Sequence, residues 1–402
     1  MTPFEETTPL TGGHPLPEDA PITVDEMWAK RLFGPGGLVH LDGDGIAYED
    51  NRRVHLVLFG MTPAAEALVI QTLKTAHFPN YIRDHSLRTR ITWIDSDALS
   101  LGTRFATRFR ALTEASHYRF VDLEKEEIHP HTPLTDFVDI EWAFVRACGR
   151  EPLLRSKLSG WTDAESAWRT VVAFAEAEDA KNLASCRALQ GVLGDAPVLV
   201  HLQDEALVLA AGSRFIPFGM PRRVWENAGL ERKIAMAVNA VYTWTAREGR
   251  IPDRLDMAEA ERLWNTLSPQ HRQACLDHAQ SFGSKMRSTR RQEEDWKALN
   301  NLGAGDLDRL AEVEHNRWAV ATLLSGMRPA TPEEQALLEK DISLKASFKE
   351  KGVHYDLRPY SDLRADENGN DVALYDKALT AGLPLIAHAV TQDTGSIRGS
   401  GC

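Results

Sequence analysis

The chain has 402 residues, 43% of them hydrophobic and 26% charged, and a net charge of −12 from 46 Lys and Arg against 58 Asp and Glu. That length suits two or three domains with cores of ordinary size, and the composition excludes a mainly disordered or collagen-like chain. The acidic balance argues against bulk binding to nucleic acid or to an anionic membrane, and no apolar run approaches the roughly 18 residues of a membrane helix.

Residues 1–50 are rich in breakers (Gly12-Gly13, Pro15, Pro17, Pro21, Gly34-Pro35-Gly36-Gly37) and read as a flexible lead-in with one helix, Val24 to Phe33. Val54 to Gly60 is a continuous apolar run ended by glycine, the pattern of a buried parallel strand. Thr62-Pro63 then opens a helix to about Ala76, with threonine at the N-cap and proline in the first turn. Arg90 to Asp95 and Tyr118 to Glu124 read as strands, with a helix from Arg104 to Ala115 between them. His129-Pro130-His131-Thr132-Pro133 breaks the chain, and Asp136 to Cys148 has helical spacing. A second cycle follows: strand Thr170 to Phe174, helix Asp179 to Leu193, and strands Pro197 to Leu202 and Phe215 to Gly219. Six strands in two cycles predict an α/β fold, a doubly wound and mostly parallel Rossmann-like sheet over residues 51–222. From Val224 the pattern is helical, a connector over 223–304. Asp306 to Ser325 is a long helix within a small, mostly helical unit at 305–389, and 390–402 reads as a flexible tail.

Cys148, Cys186, Cys275 and Cys402 stand far apart without a C-x-x-C pair, so no zinc knuckle or dithiol is written, and free thiols in a reducing cytosol are expected. Residues 1–21 lack the basic and apolar blocks of a signal peptide, which again points to a cytoplasmic chain.

A dinucleotide turn needs G-x-G-x-x-G so that backbone N–H groups reach a pyrophosphate at a helix N-terminus. In Gly60-Met61-Thr62-Pro63-Ala64-Ala65 only Gly60 matches; Thr62 stands at the second glycine, and Ala65 can serve as the third. Asp95, 35 positions past Gly60 rather than about 20, stands where a ribose hydroxyl would be held. Gly60, Thr62 and Asp95 therefore mark a candidate NAD or nucleotide site, set against a scaffold that keeps the crevice empty. His117, His129 and His131 lack a carboxylate or cysteine at metal-ligand spacing and read as loop residues. Ser284 to Lys297 alternates basic and acidic residues, read either as a solvated linker or as a phosphate contact. No Ser/His/Asp or Cys/His set and no Walker loop appears, so no catalytic residue is assigned. The rival class is a nucleotide-dependent oxidoreductase or hydrolase using the Rossmann crevice.

The densest cluster is Glu314-His315-Asn316-Arg317-Trp318, followed by Lys351-Gly352-Val353-His354 and Arg358-Pro359-Tyr360. An aromatic wall, a guanidinium and hydrogen-bonding groups suit a planar phosphorylated ligand. An amphipathic helix with Trp318 in the core and Arg317 turned about 100° away to the surface fits equally well. The E-H-N-R-W helix, the following Gly326, the K-x-x-H, the P-Y-x-x-L from Pro359 to Leu363 and the pair Tyr375-Asp376 resemble the RyR domain, the module named for its repeats in ryanodine receptors. The front of the chain is similar to bacterial proteins that join a TrkA-N-like Rossmann domain to a RyR domain. That resemblance implies a regulatory, non-catalytic role in sensing a nucleotide-derived signal, in bacterial defence or transport control. The candidate ligand-site residues of this block are Asn316, Arg317, Trp318, His354, Arg358 and Tyr360. The partners it leaves are a nucleotide-like small molecule and a second copy of the chain.

Overall fold

The structure, a computed structural model, describes residues 22–147, 152–208, 214–221, 228–290, 302–363 and 373–397. Its centre is one eight-stranded sheet: β1 Arg53–Phe59, β2 Thr89–Asp95, β3 His117–Asp122, β4 Glu127–His131, β5 Ile140–Arg146, β6 Trp168–Phe174, β7 Val198–His201 and β8 Ile216–Phe218, in the order β4-β3-β5-β2-β1-β6-β7-β8. Every neighbouring pair is parallel except β3 and β4, which form an antiparallel hairpin at one edge. Without that hairpin the order is the doubly wound one, with β1 and β6 flanking the point where the winding reverses. The α/β, Rossmann-like reading of the sequence therefore holds.

Several elements differ from expectation, and the helix expected over Arg104 to Ala115 is two, Ala98–Arg108 and Arg110–Glu114. Asp136 to Cys148 is not helical: Ile140–Arg146 is β5, buried between β2 and β3. A strand covered on both faces carries a nearly unbroken apolar run, and Ile-Glu-Trp-Ala-Phe-Val satisfies either period over so short a span. The β3–β4 hairpin also uses His129-Pro130-His131, read from sequence as a break. Pro130 is tolerated because β4 is an edge strand.

Side chains alternate between the two faces of the sheet. Leu56, Leu58, Trp93 and Phe144 meet the helices Pro63–Thr75, Ala98–Arg108 and Arg110–Glu114. Val57, Phe59, Val172 and Phe174 meet the helices Pro152–Thr162 and Asp179–Leu189. Gly102 lies against Phe144 and Phe120, where an added Cβ would come within 2.7 Å of the Phe144 ring.

The lead-in is not loose over its described part. Thr23 and Glu26 form a capping box on the helix Val24–Phe33, the Trp28 indole donates to the Met220 carbonyl at 2.9 Å, and Leu32, Leu41 and Ile46 are fully buried or nearly so. Residues 1–21 lie outside the described residues. The expected flexible tail is helical as far as it is described, in Leu383–Ile397.

A second core lies in the C-terminal helices. Ile234 and Val241 on the helix Ala228–Glu248 pack with Trp264, Leu383 and Ile386. The helix Ala304–Leu324 spans both cores: Leu310 belongs to the helical one, while Ala319, Val320 and Leu323 belong to the core of the sheet, together with Leu357. The division expected near residue 305 is therefore not a break in packing.

Candidate functional site

At the switch point the chain closes on itself. Gly60 has φ +89°, and a Cβ there would lie 2.7 Å from Glu176 Cα and 2.8 Å from the Ala175 carbonyl oxygen. The Thr62 hydroxyl donates to the Ala175 carbonyl at 2.6 Å and also caps the helix Pro63–Thr75 at the Ala65 N–H. Asp95 accepts from the Met61 N–H at 3.0 Å and from the Asp97 N–H at 2.9 Å. Asn182 locks the facing loop, accepting from the Glu176 N–H at 2.7 Å and donating to the Glu176 and His201 carbonyls. Gly60, Thr62 and Asp95 are thus brought together, but their polar groups bond to the chain itself. Gly60→Ala is expected to destabilise the fold by about 1–3 kcal/mol through the positive φ alone, with backbone contact added. Urea unfolding measures it.

The cluster on the helix Ala304–Leu324 divides between two sides. On the first, Glu314 is buried with Arg317, whose Nε and Nη2 bond it at 2.9 and 2.7 Å, with the Lys285 ammonium against it and with His278 Nδ1 2.8 Å from its Oε1. Burial alone would raise the Glu314 carboxyl, but Arg317, His278 and Lys285 outweigh it and hold it well below the usual range. Burial pushes His278 down to about 4 and lowers Lys285. Arg317 is therefore an internal counter-ion rather than a surface charge. Half of the expected contrast fails: Trp318 does pack, half-buried, against the core of the sheet, but the outward direction expected of Arg317 is reversed, for it is 4% exposed. The reversal has a physical cause, because the buried Glu314 one turn earlier draws the guanidinium in.

On the other side stand the aromatics. Trp318 lies 4.9 Å from the His354 ring, edge to face, and 5.4 Å from His315; Tyr360 lies 5.7 Å from His315. His315 Nε2 donates to the Arg358 carbonyl at 2.9 Å, which seats the 353–360 segment on the helix. Burial opposes charge on His315, but Asp376, with a carboxylate oxygen 3.6 Å from its Nδ1, outweighs it and raises its pKa. His354 is lowered to about 4, mainly by burial, and its Nδ1 accepts from the Asp356 N–H at 3.3 Å. That bond places the proton of the neutral ring on Nε2. Arg358 stacks over Tyr355 at 3.9 Å and donates Nε to its carbonyl, while its Nη2 has no hydrogen-bond partner among the described residues. Trp318, His354 and Tyr360 therefore gather around His315, Arg358 joins them through its carbonyl while its guanidinium lies on Tyr355, Arg317 does not join them, and Asn316 is buried with its amide nitrogen unpartnered among the described residues. The sequence reading passed over His278, quoted His315 without a role, and placed Lys285 only in the charged stretch after Ser284. The adjacency of Glu314 and Arg317 was the one available signal that charge would be taken inside.

The basic segment after Ser284 spends its described charges internally: Lys285 on Glu314, Arg287 on Asp42 at 2.9 Å and Arg290 on Asp50 at 2.6 Å. Over 285–290 the stretch is tied to the rest of the chain rather than a solvated linker, and residues 291–297 lie outside the described residues. His131 stacks on Tyr118 at 4.4 Å, His117 lies 3.2 Å from Asp136, and the described residues hold no group of three metal-ligating side chains. A cavity of about 110 Å³ beside Tyr48, Pro79, Arg290 and Arg309 is smaller than the 300 Å³ or so of a nucleotide pocket. Cys186 and Cys275 are free, with thiols pushed up by burial to about 11 and about 12, so neither is an activated nucleophile. Cys148 and Cys402 lie outside the described residues. Among the described residues no helix is long and apolar enough to cross a membrane. Comparison with protein-family models, with curated proteins and with solved structures gives no match to this chain.

Proposed function

We propose that the chain is a non-catalytic regulatory protein whose RyR-like C-terminal block binds a nucleotide-derived small molecule. The observation that carries the reading is the half-buried Trp318 ring, met edge to face by the neutral His354 ring on a segment that also carries Arg358 and Tyr360. A base stacks on the indole, and His354 Nε2–H donates to it. The motif resemblance of residues 305–389 and the TrkA-N-like front support the same reading. The crevice enzyme is the weaker reading, because the Thr62 hydroxyl fills the approach that a pyrophosphate needs. Native mass spectrometry against dinucleotides and cyclic nucleotides, followed by calorimetric titration, is the test. Trp318→Leu is expected to weaken binding about tenfold or more, the loss of one base–aromatic stack. Equal binding by the variant and the parent protein across the panel, or stoichiometric NAD carried by the purified protein, overturns the reading.

A further inference from the structure

The sheet face that carries Val57 and Val172 has a basic row at its N-terminal end. Alternation puts Trp168 on β6, Arg53 on β1, Arg90 on β2, Glu141 on β5 and Arg119 on β3 all on that face. The helix Pro152–Thr162 lies against β6, and beyond it the side chains of Arg53, Arg90 and Arg119 remain 24%, 15% and 34% exposed.

Three guanidiniums converge on one carboxylate oxygen. Arg90 Nε bonds Glu141 Oε1 at 2.5 Å, whereas Arg53 Nη1 and Arg119 Nη2 stand 3.9 and 3.8 Å from it, beyond hydrogen-bond reach. Arg53 Nη1 also donates to the Ser86 carbonyl at 2.8 Å. The Trp168 ring lies under both Arg53 and Arg90, 3.7 and 4.6 Å from their guanidinium carbons, and holds these planes in place. One further carboxylate, the exposed Asp84, acts on Arg53. The row keeps a positive excess in a chain whose net charge is −12. Burial and the neighbouring guanidiniums lower Arg90 to about 10, even with Glu141 opposing them.

We propose that Arg53, Arg90 and Arg119 form an anion site for the phosphate groups of a small molecule, with Glu141 as the internal anion that a bound phosphate displaces or shares. Phosphate fits better than a single carboxylate, because its oxygens can meet guanidiniums arriving from three strands at once. The site lies on the sheet and involves none of the Trp318 cluster, so it stands or falls separately from the function proposed above.

The test is calorimetric titration of the full chain with inorganic pyrophosphate at low and at raised salt. The parent protein is expected to bind, more weakly as salt rises. Arg119→Gln, the most exposed of the three, is expected to weaken binding about tenfold, and Arg53→Gln with Arg119→Gln to abolish it. Glu141→Gln is expected to strengthen binding several-fold, whereas a purely structural ladder would lose stability there and gain no affinity. Trp318→Leu is expected to leave pyrophosphate binding unchanged. The proposal is overturned if neither the parent protein nor Glu141→Gln binds pyrophosphate, or if both arginine variants bind like the parent.

Discussion

Glu314→Ala is expected to cost the fold about 3–5 kcal/mol, the loss seen when one partner of a buried ion pair is removed and the other charge is stranded. Lys285 is 1% exposed and has Glu314 as its ion-pair partner, and Arg317 is committed to the same carboxylate. Without Glu314, two cations remain in the interior, and Lys285 must release its proton or the helices must part to admit water. The cluster joins the helices Pro269–Gln280, Phe282–Ser288 and Ala304–Leu324, so the loss is expected to appear as a lower urea midpoint for the whole chain. Replacing Glu314, Lys285 and Arg317 together by Leu, Met and Met removes every stranded charge, and is expected to recover most of the loss. A single Glu314→Ala loss below about 1 kcal/mol would show that the carboxylate does not hold these cations.

Stability is also expected to fall as pH drops from about 6.5 to 4. His278 and His354 are held at about 4 in the fold, chiefly by burial, against an ordinary value near 6.5. Between these values the unfolded chain takes up protons that the folded chain refuses, so acid favours unfolding. The stabilisation is fully present above 6.5 and is lost as pH falls through the window, by up to about 3 kcal/mol for each group. His55 adds to the loss. It is buried between Trp161 and Trp168, and burial together with Arg90, Arg53 and Arg119 puts it well below the usual value. His315 works in the opposite direction, because its raised value gives stability below the unfolded value that is lost as pH rises through the folded one. Three histidines against one leave a net loss toward acid. Urea midpoints measured across this range check it: His354→Asn is expected to flatten the curve, and an unchanged slope in that variant would remove His354 as a source.

Much of the sheet was legible because local signals agreed there. The run Val54 to Gly60 and Thr62-Pro63 at the following helix start each read the same way in propensity, period and capping. β5 was not legible, because a short strand apolar on both faces has no period that distinguishes it from a helix, and only its pairing with β2 and β3 reveals it. The lead-in misled for a different reason. Its glycines and prolines reported turns correctly, but turns say nothing about Trp28, Leu32 and Ile46 lying in a core built by residues far along the chain.

The candidate site shows the same division. That Glu314, Arg317 and Trp318 share a helix was written in their spacing, and so was the gathering of His354, Arg358 and Tyr360 on one turn-rich segment. Which of them turn inward was decided by partners no local rule names: Lys285 and His278 from two other helices, and Asp376 from a third. The sequence by itself determined most strands of the sheet, the capped helix start at Thr62-Pro63 and the degraded dinucleotide turn, because each depends on residues within a few positions of one another. Tertiary structure alone decided the strand order, the burial of Arg317, the closing of the crevice by Thr62 and the meeting of three arginines over Glu141. Each of these is a contact between residues far apart in the chain, and its energy exists only once the sheet has brought them together.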